Sequence, residues 1–246
     1  MSSTLEGKAV LVTGASSGIG RATALALARA GASVAAGARR TDRLRSLADE
    51  APGGDVLALE LNVADPQSVR DAVAATVTRF GRLDVLVNNA GVMLNGAILT
   101  ADISDWTHMV AINLLGSMYA VHAALPHLLD TKGAVVQVSS TSGRSASAGA
   151  GVYAATKFGV TAFSEALRQE VTEHGVRVVV IEPGFVSTEL TTHSTDPAMR
   201  AKAREMAAAM RTLQPEDVAA AVVYAVTQPA HVAVNEILIR PTDQTR

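Results

Sequence analysis

The sequence has no cysteine, no excess of either charge and no long apolar run at its start. Without cysteine the chain can form no disulfide, no thiolate metal site and no cysteine nucleophile, and no metal site of any other kind is expected. Lysine plus arginine number 21 against 23 aspartate plus glutamate, a net charge of -2. That balance gives no support for a nucleic-acid partner or a membrane surface. The N-terminus is polar, and the first apolar run, Ala9 to Val12, is far too short to span a bilayer. No signal peptide is seen, so a cytoplasmic protein is expected. No linker, low-complexity tract or internal repeat interrupts the 246 residues. With 48% hydrophobic residues there is ample material for one core.

Short apolar strand patterns recur at Ala9–Val12, Val34–Gly37, Val56–Leu61, Val85–Val87, Val135–Val138, Val176–Ile181 and Ile237–Ile239, with helical patterns between them. Continuous apolar strands alternating with helices predict a single α/β domain. Its doubly wound parallel sheet, a Rossmann fold of about seven strands, is covered by helices on both faces. Asp65 and Pro66 predict a helix start, with Val69, Val73, Val77 and Phe80 as its buried stripe. A long helix is predicted from Ser104, as N-cap, to about Asp130, with Pro126 near its last turn. A second runs over 152–174.

The turn after the first strand reads Thr13-Gly14-Ala15-Ser16-Ser17-Gly18-Ile19-Gly20 and opens an apolar helix that ends at Gly31. Strand, glycine turn, helix and strand make a βαβ unit suited to a dinucleotide. Glycines let the backbone approach a pyrophosphate, and the helix N-terminus supplies N–H donors. The second strand ends at Ala38-Arg39-Arg40. An acid there would select NAD through the ribose 2′-hydroxyl. This chain has none and offers two guanidinium groups, which suit a 2′-phosphate. NADP(H) is therefore expected over NADH. Asn62, at the end of the third strand, is placed to hydrogen-bond adenine.

Asn88 and Asn89 follow the fourth strand and would brace the sheet beside the cofactor. Asn113 sits inside the long helix, either as a core asparagine bonded to a neighbouring strand or as a kink that holds a water. Tyr153 and Lys157 lie at i and i+4, on one helix face. An ammonium beside a phenol favours the tyrosinate, so the phenol pKa is expected to fall toward a range useful for proton transfer.

Together these stretches resemble the short-chain dehydrogenase/reductase family in its single-domain branch. Gly14, Gly18 and Gly20 resemble its cofactor loop, and Asn88-Asn89-Ala90-Gly91 its NNAG motif. Asn113, Ser140, Tyr153 and Lys157 resemble its catalytic tetrad, with Ser140 preferred to Ser139 because it lies 13 residues before Tyr153. Pro183-Gly184-x-x-x-Thr188 resembles its nicotinamide loop. The resemblance implies that Gly14, Ser16, Ser17, Gly18, Ile19, Gly20, Arg39, Arg40, Asn62, Val63, Asn89, Ala90, Gly91, Tyr153, Lys157, Pro183, Gly184, Val186 and Thr188 hold NADPH or NADP+. It implies hydride transfer to a small carbonyl substrate, with Tyr153 as proton donor, Ser140 holding the carbonyl oxygen and Asn113 holding a water that relays protons to Lys157. It also implies self-association, usually as a tetramer, otherwise a dimer.

The chain lacks the common V-D-G-G ending; its tail through Gln244 resembles the branch of NADP-dependent 3-hydroxy acid and serine dehydrogenases. The segment 185–213 would lie over the strand ends, its methionine-bearing stretch either covering the substrate or packing as a helix on the core or another subunit. Arg144, Arg200, Lys202, Arg204 or Arg211 could meet a substrate carboxylate.

Overall fold

The computed structural model describes residues 5–51, 55–194 and 196–245. Seven strands form one sheet: β1 (Ala9–Thr13), β2 (Ser33–Ala38), β3 (Val56–Glu60), β4 (Val85–Asn88), β5 (Ala134–Val138), β6 (Arg177–Pro183) and β7 (Glu236–Ile239). Their order is β3-β2-β1-β4-β5-β6-β7, and every neighbouring pair is parallel. The order reverses between β1 and β4. A crevice therefore opens at the carboxyl ends of these strands.

The central strands are apolar on both faces because both faces are covered. Val10 and Val12 face one core cluster while Leu11, between them, faces the other. Val85 and Val87 repeat the alternation around Leu86. Helices α1 (Gly18–Arg29), α2 (Thr41–Glu50) and α8 (Pro215–Val226) contribute to the first cluster. The second is closed by α3 (Pro66–Phe80), α5 (Gly116–Thr131) and α6 (Gly151–Val171). Asp65 caps α3 by accepting from the Gln67 amide at 2.9 Å, with Pro66 at the first helical position.

The long helix departs from its predicted form in two ways. It starts at Ile103, and its cap is Asp102, whose carboxylate accepts the Ser104 amide at 2.8 Å. Ser104 is thus the capped residue, not the cap. It is also interrupted: α4 (Ile103–Met109) passes through a π-helical turn, Val110–Leu115, before α5 begins. Pro126 lies inside α5 near its last turn, as expected. By length and composition, Ile103–Thr131 is apolar enough to cross a membrane. Here its buried side, including Met109, Ile112, Ala120, Ala124 and Leu128, belongs to the second core cluster.

Candidate active site

A single cleft of about 670 Å3 runs along the carboxyl ends of the central strands. Its floor is the turn between β1 and α1. Gly14 there has φ +69°, and a Cβ would come within 2.8 Å of the Ala90 Cα. Gly20 lies behind the cleft, where a Cβ would collide with the Asn89 side chain and the Gly14 carbonyl. Only glycine allows the β1 and β4 ends to close this tightly.

The asparagines at the end of β4 lock that contact. Asn89 Nδ2 donates to the Thr13 carbonyl at 3.0 Å and the Gly14 carbonyl at 3.3 Å. The Thr13 hydroxyl accepts from the backbone amides of Asn89 and Ala90. Asn88 Nδ2 donates to the Ser117 carbonyl at 3.1 Å, tying β4 to α5.

One end of the cleft is cationic. Arg39 and Arg40 both line it, beside Ser16, Ser17 and Ala38. Arg40 folds back over the glycine turn, donating to the Ser16 hydroxyl at 3.2 and 3.1 Å and to the Ser17 hydroxyl at 2.8 Å. Asn62 also lines the cleft, but its Oδ1 already accepts the Ala64 amide at 3.2 Å. One lone pair expected to serve adenine is therefore used in the turn.

The other end holds Ser140, Tyr153 and Lys157. Ser140, at the end of β5, accepts the Ser142 amide at 3.0 Å and so starts the 3-10 turn Thr141–Gly143. Tyr153 sits in the first turn of α6, with Lys157 one turn later. Lys157 Nζ lies 5.8 Å from the Tyr153 ring centroid and donates to the Val138 carbonyl at 2.8 Å. Both side chains are buried.

The electrostatics overturn one expectation. Burial pushes the Tyr153 phenol up to about 12, and only a hydrogen bond with Ser140 pulls the other way. Lys157 does not lower it. Burial holds the Lys157 ammonium itself down at about 8, and its nearest bond is to a backbone carbonyl. Desolvation disfavours the charged form of both groups.

Asn113 occupies the π-helical turn, outside the main cleft. Its Oδ1 accepts the Val92 amide at 2.8 Å; its Nδ2 donates to the Val92 carbonyl at 2.9 Å and the Thr156 hydroxyl at 3.1 Å. The side chain thus braces the segment after β4 against α6. It also borders a cavity of about 10 Å3, shared with Asn88, Ser117, Gln137 and Lys157. That is polar space for roughly one water.

The remaining sequence-predicted residues, Gly18, Ile19, Val63, Ala90, Gly91, Pro183, Gly184, Val186 and Thr188, all line the cleft. Sequence reasoning missed Met93, Asn95 and Ser142, which also line the cleft; Phe185, Leu190 and His193 line it from the segment expected to cover the substrate. It also missed what Gln244 does: Gln244 Oε1 accepts the Phe185 amide at 2.8 Å and ties the tail under the cleft. Helix α7 (Pro197–Ala208) contributes Met199, Ala203 and Met206 to the wall.

The expected carboxylate partners lie elsewhere. Arg144 pairs with the buried Glu182 at 2.6 Å and with Glu236. Arg211 pairs with Asp243 at 3.3 Å, and Arg200 donates to the Ser194 carbonyl at 2.8 Å. Arg204 does not line the cleft, and the Lys202 side chain lies outside the described residues. Among the described residues, the only cations lining the cleft are Arg39, Arg40 and Lys157.

A glycine turn at a helix start, a paired-arginine end and a Tyr–Lys end on one reversed parallel sheet define an oxidoreductase fold built around a dinucleotide. The short chain dehydrogenase family matches residues 8–198, and the chain belongs to that family. It is 44% identical over 243 residues to glycine betaine reductase ATRR of Emericella nidulans, covering 98% of this chain. The chain spans only 19% of that relative's length. A serine dehydrogenase solved in its closed form with NADP+ superposes with TM-score 0.91 at 34% identity, covering 97% of this chain and 96% of the other. The alcohol dehydrogenase of Thermococcus sibiricus, solved with 5-hydroxy-NADP, gives 0.87 at 30% identity, covering 97% and 98%.

Proposed function

We propose that the protein is an NADPH-dependent reductase that converts an aldehyde or ketone to an alcohol. The observation that carries this reading is one cleft with Arg39 and Arg40 at one end and Ser140, Tyr153 and Lys157 at the other. The site fits the cofactor by its own chemistry: a glycine turn and a helix N-terminus for the pyrophosphate, two guanidinium groups for a 2′-phosphate and no acid at the β2 end. Solved relatives bound to NADP+ and to 5-hydroxy-NADP support the same choice.

When bound, the reduced nicotinamide supplies a hydride. The chain supplies the rest. Tyr153 holds its proton at neutral pH because burial raises its pKa to about 12, so it is set to donate to the carbonyl oxygen. Ser140 donates to the same oxygen and stabilises the charge that develops there. Lys157, near 8, can replace the Tyr153 proton. Asn113 holds the α6 start in place through Thr156, whose hydroxyl donates to the Tyr153 carbonyl at 2.7 Å.

The methionine-lined outer cleft, with no cation besides Lys157 among the described residues, suits an uncharged carbonyl compound. The tail and the stretches around Arg168, Val179 and Ala124 resemble clavulanic acid dehydrogenase, and a clavaldehyde-type aldehyde, which carries a carboxylate, is a separate, acidic candidate. A second reading is an NADP-dependent dehydrogenase of an alcohol or 3-hydroxy acid, favoured by the serine and alcohol dehydrogenase neighbours. Val110, Leu115 and Phe158 are exposed apolar residues on the α4–α6 side of the molecule and support self-association as a tetramer or dimer.

Loss of 340 nm absorbance with a panel of neutral and acidic carbonyl compounds offered NADPH and NADH, alongside gain of 340 nm absorbance with alcohols and 3-hydroxy acids offered NADP+, tests both readings. Turnover of neutral aldehydes or ketones with NADPH supports the first. Turnover confined to NADP+ with hydroxy acids would replace it with the second.

A further inference from the structure

The cationic end of the cleft already contains an anion from the chain itself. Glu189 opens the 3-10 turn Glu189–Thr192, directly after Thr188, on the segment that covers the cleft. Its Oε2 accepts from Arg40 Nη1 at 2.9 Å, and its Oε1 accepts from Arg43 Nη1 at 2.7 Å. Arg40 meanwhile spends Nε and Nη2 on the Ser16 and Ser17 hydroxyls. The guanidinium fork nearest the glycine turn is thus engaged by internal acceptors. Two arginines hold the Glu189 carboxylate down at about 2, so it remains an anion at any working pH.

We propose that Glu189 is a specificity-determining residue that occupies the arginines of the 2′-phosphate subsite and must give them up when a phosphorylated cofactor binds. The proposal rests on the NADP(H) reading above and deepens it. A 2′-phosphate brought to Arg40 meets a like charge at hydrogen-bond range from the same nitrogen, and the dianion is the stronger ligand for the fork. The carboxylate then leaves Arg40. A 2′-hydroxyl carries no charge with which to displace it, so an unphosphorylated cofactor leaves the pair intact. The contact also joins two parts of the site. Arg40 and Arg43 belong to the β2–α2 corner, and Glu189 belongs to the covering segment, whose Thr188 packs over Gly18. Displacement therefore unties that segment from the cofactor end only when the phosphate is present. The cost is affinity, because each phosphorylated cofactor competes with an internal anion.

The test is isothermal titration of the full-length protein, wild type, Glu189→Gln and Glu189→Ala, with 2′,5′-ADP, 5′-ADP, NADP+ and NAD+. Both variants are expected to bind 2′,5′-ADP and NADP+ about tenfold more tightly, the scale of two partly exposed ion pairs released from competition. Affinity for 5′-ADP and NAD+ is expected to change less than about twofold. Glu189→Ala controls for any contact special to the introduced amide. Weaker binding of the phosphorylated ligands in the variants, or an equal change for all four ligands, would overturn the inference and leave the cofactor reading standing. Wild-type protein that does not prefer 2′,5′-ADP over 5′-ADP would overturn both.

Discussion

Lys157→Met separates the stability of the fold from the chemistry of the site. Lys157 is buried, and its pKa falls from 10.5 to about 8 for that reason alone. A cation whose folded pKa is depressed destabilises the fold wherever it is charged in the unfolded chain. Stability therefore rises with pH between about 8 and 10.5, as the unfolded chain binds more protons. At about 1.4 kcal/mol per pH unit of displacement, burying the ammonium costs about 3 kcal/mol at pH 7 and about 1 kcal/mol at pH 9.5. Methionine removes that cost and nearly keeps the side-chain length. It also removes the donor to the Val138 carbonyl, a loss of about 1 kcal/mol. The expected net effect is a variant about 2 kcal/mol more stable at pH 7 and close to wild type at pH 9.5. Reversible urea unfolding at the two pH values measures it, and turnover should be lost at both. A variant that is equally destabilised at pH 7 and 9.5 would refute the buried-ammonium argument.

Other outcomes follow from the same geometry. With Tyr153 at about 12 and Lys157 at about 8, Lys157 is the group that titrates in the working range. Reduction with saturating NADPH should slow about tenfold per pH unit above pH 8, while alcohol oxidation should quicken about tenfold per pH unit up to pH 8 and level off above it; parallel profiles in both directions would contradict this. Arg40→Ala should weaken NADP+ binding by roughly 10- to 100-fold, the worth of one charge-assisted contact, and leave NAD+ within about threefold, as read by titration calorimetry. Asn113→Ala strips the partners from both backbone groups of Val92. It should cost about 3 kcal/mol, or roughly 10 °C in thermal unfolding, and lower kcat more than it raises KM.

The sheet was legible because its strands are buried on both faces, and short continuous apolar runs between helical patterns survive in the bare sequence. Tyr153 and Lys157 were legible because helical spacing alone puts them together. Other features depend on partners far along the chain. Nothing near Arg144 announces Glu182 and Glu236, which neutralise it from β6 and β7. Nothing near Arg40 announces Glu189, 149 residues away. The Tyr153 pKa went in the opposite direction from the spacing argument because the Lys157 ammonium points at the Val138 carbonyl, and burial dominates both groups. The helix start was ambiguous locally, since Asp102 and Ser104 are both good caps and only the backbone path decides between them. The π-helical turn has no signature in composition. It is accompanied by the bonds of Asn113 to Val92, a contact between segments 21 residues apart.

The most direct test of the central claim compares Tyr153→Phe with wild type, reading NADPH oxidation at 340 nm and NADP+ affinity by calorimetry on the same preparations. Turnover should fall by at least about 100-fold, the scale of a lost general acid, while the NADP+ Kd stays within about twofold. Near-normal turnover with intact binding would show that the proton comes from elsewhere and would contradict the assignment of this cleft.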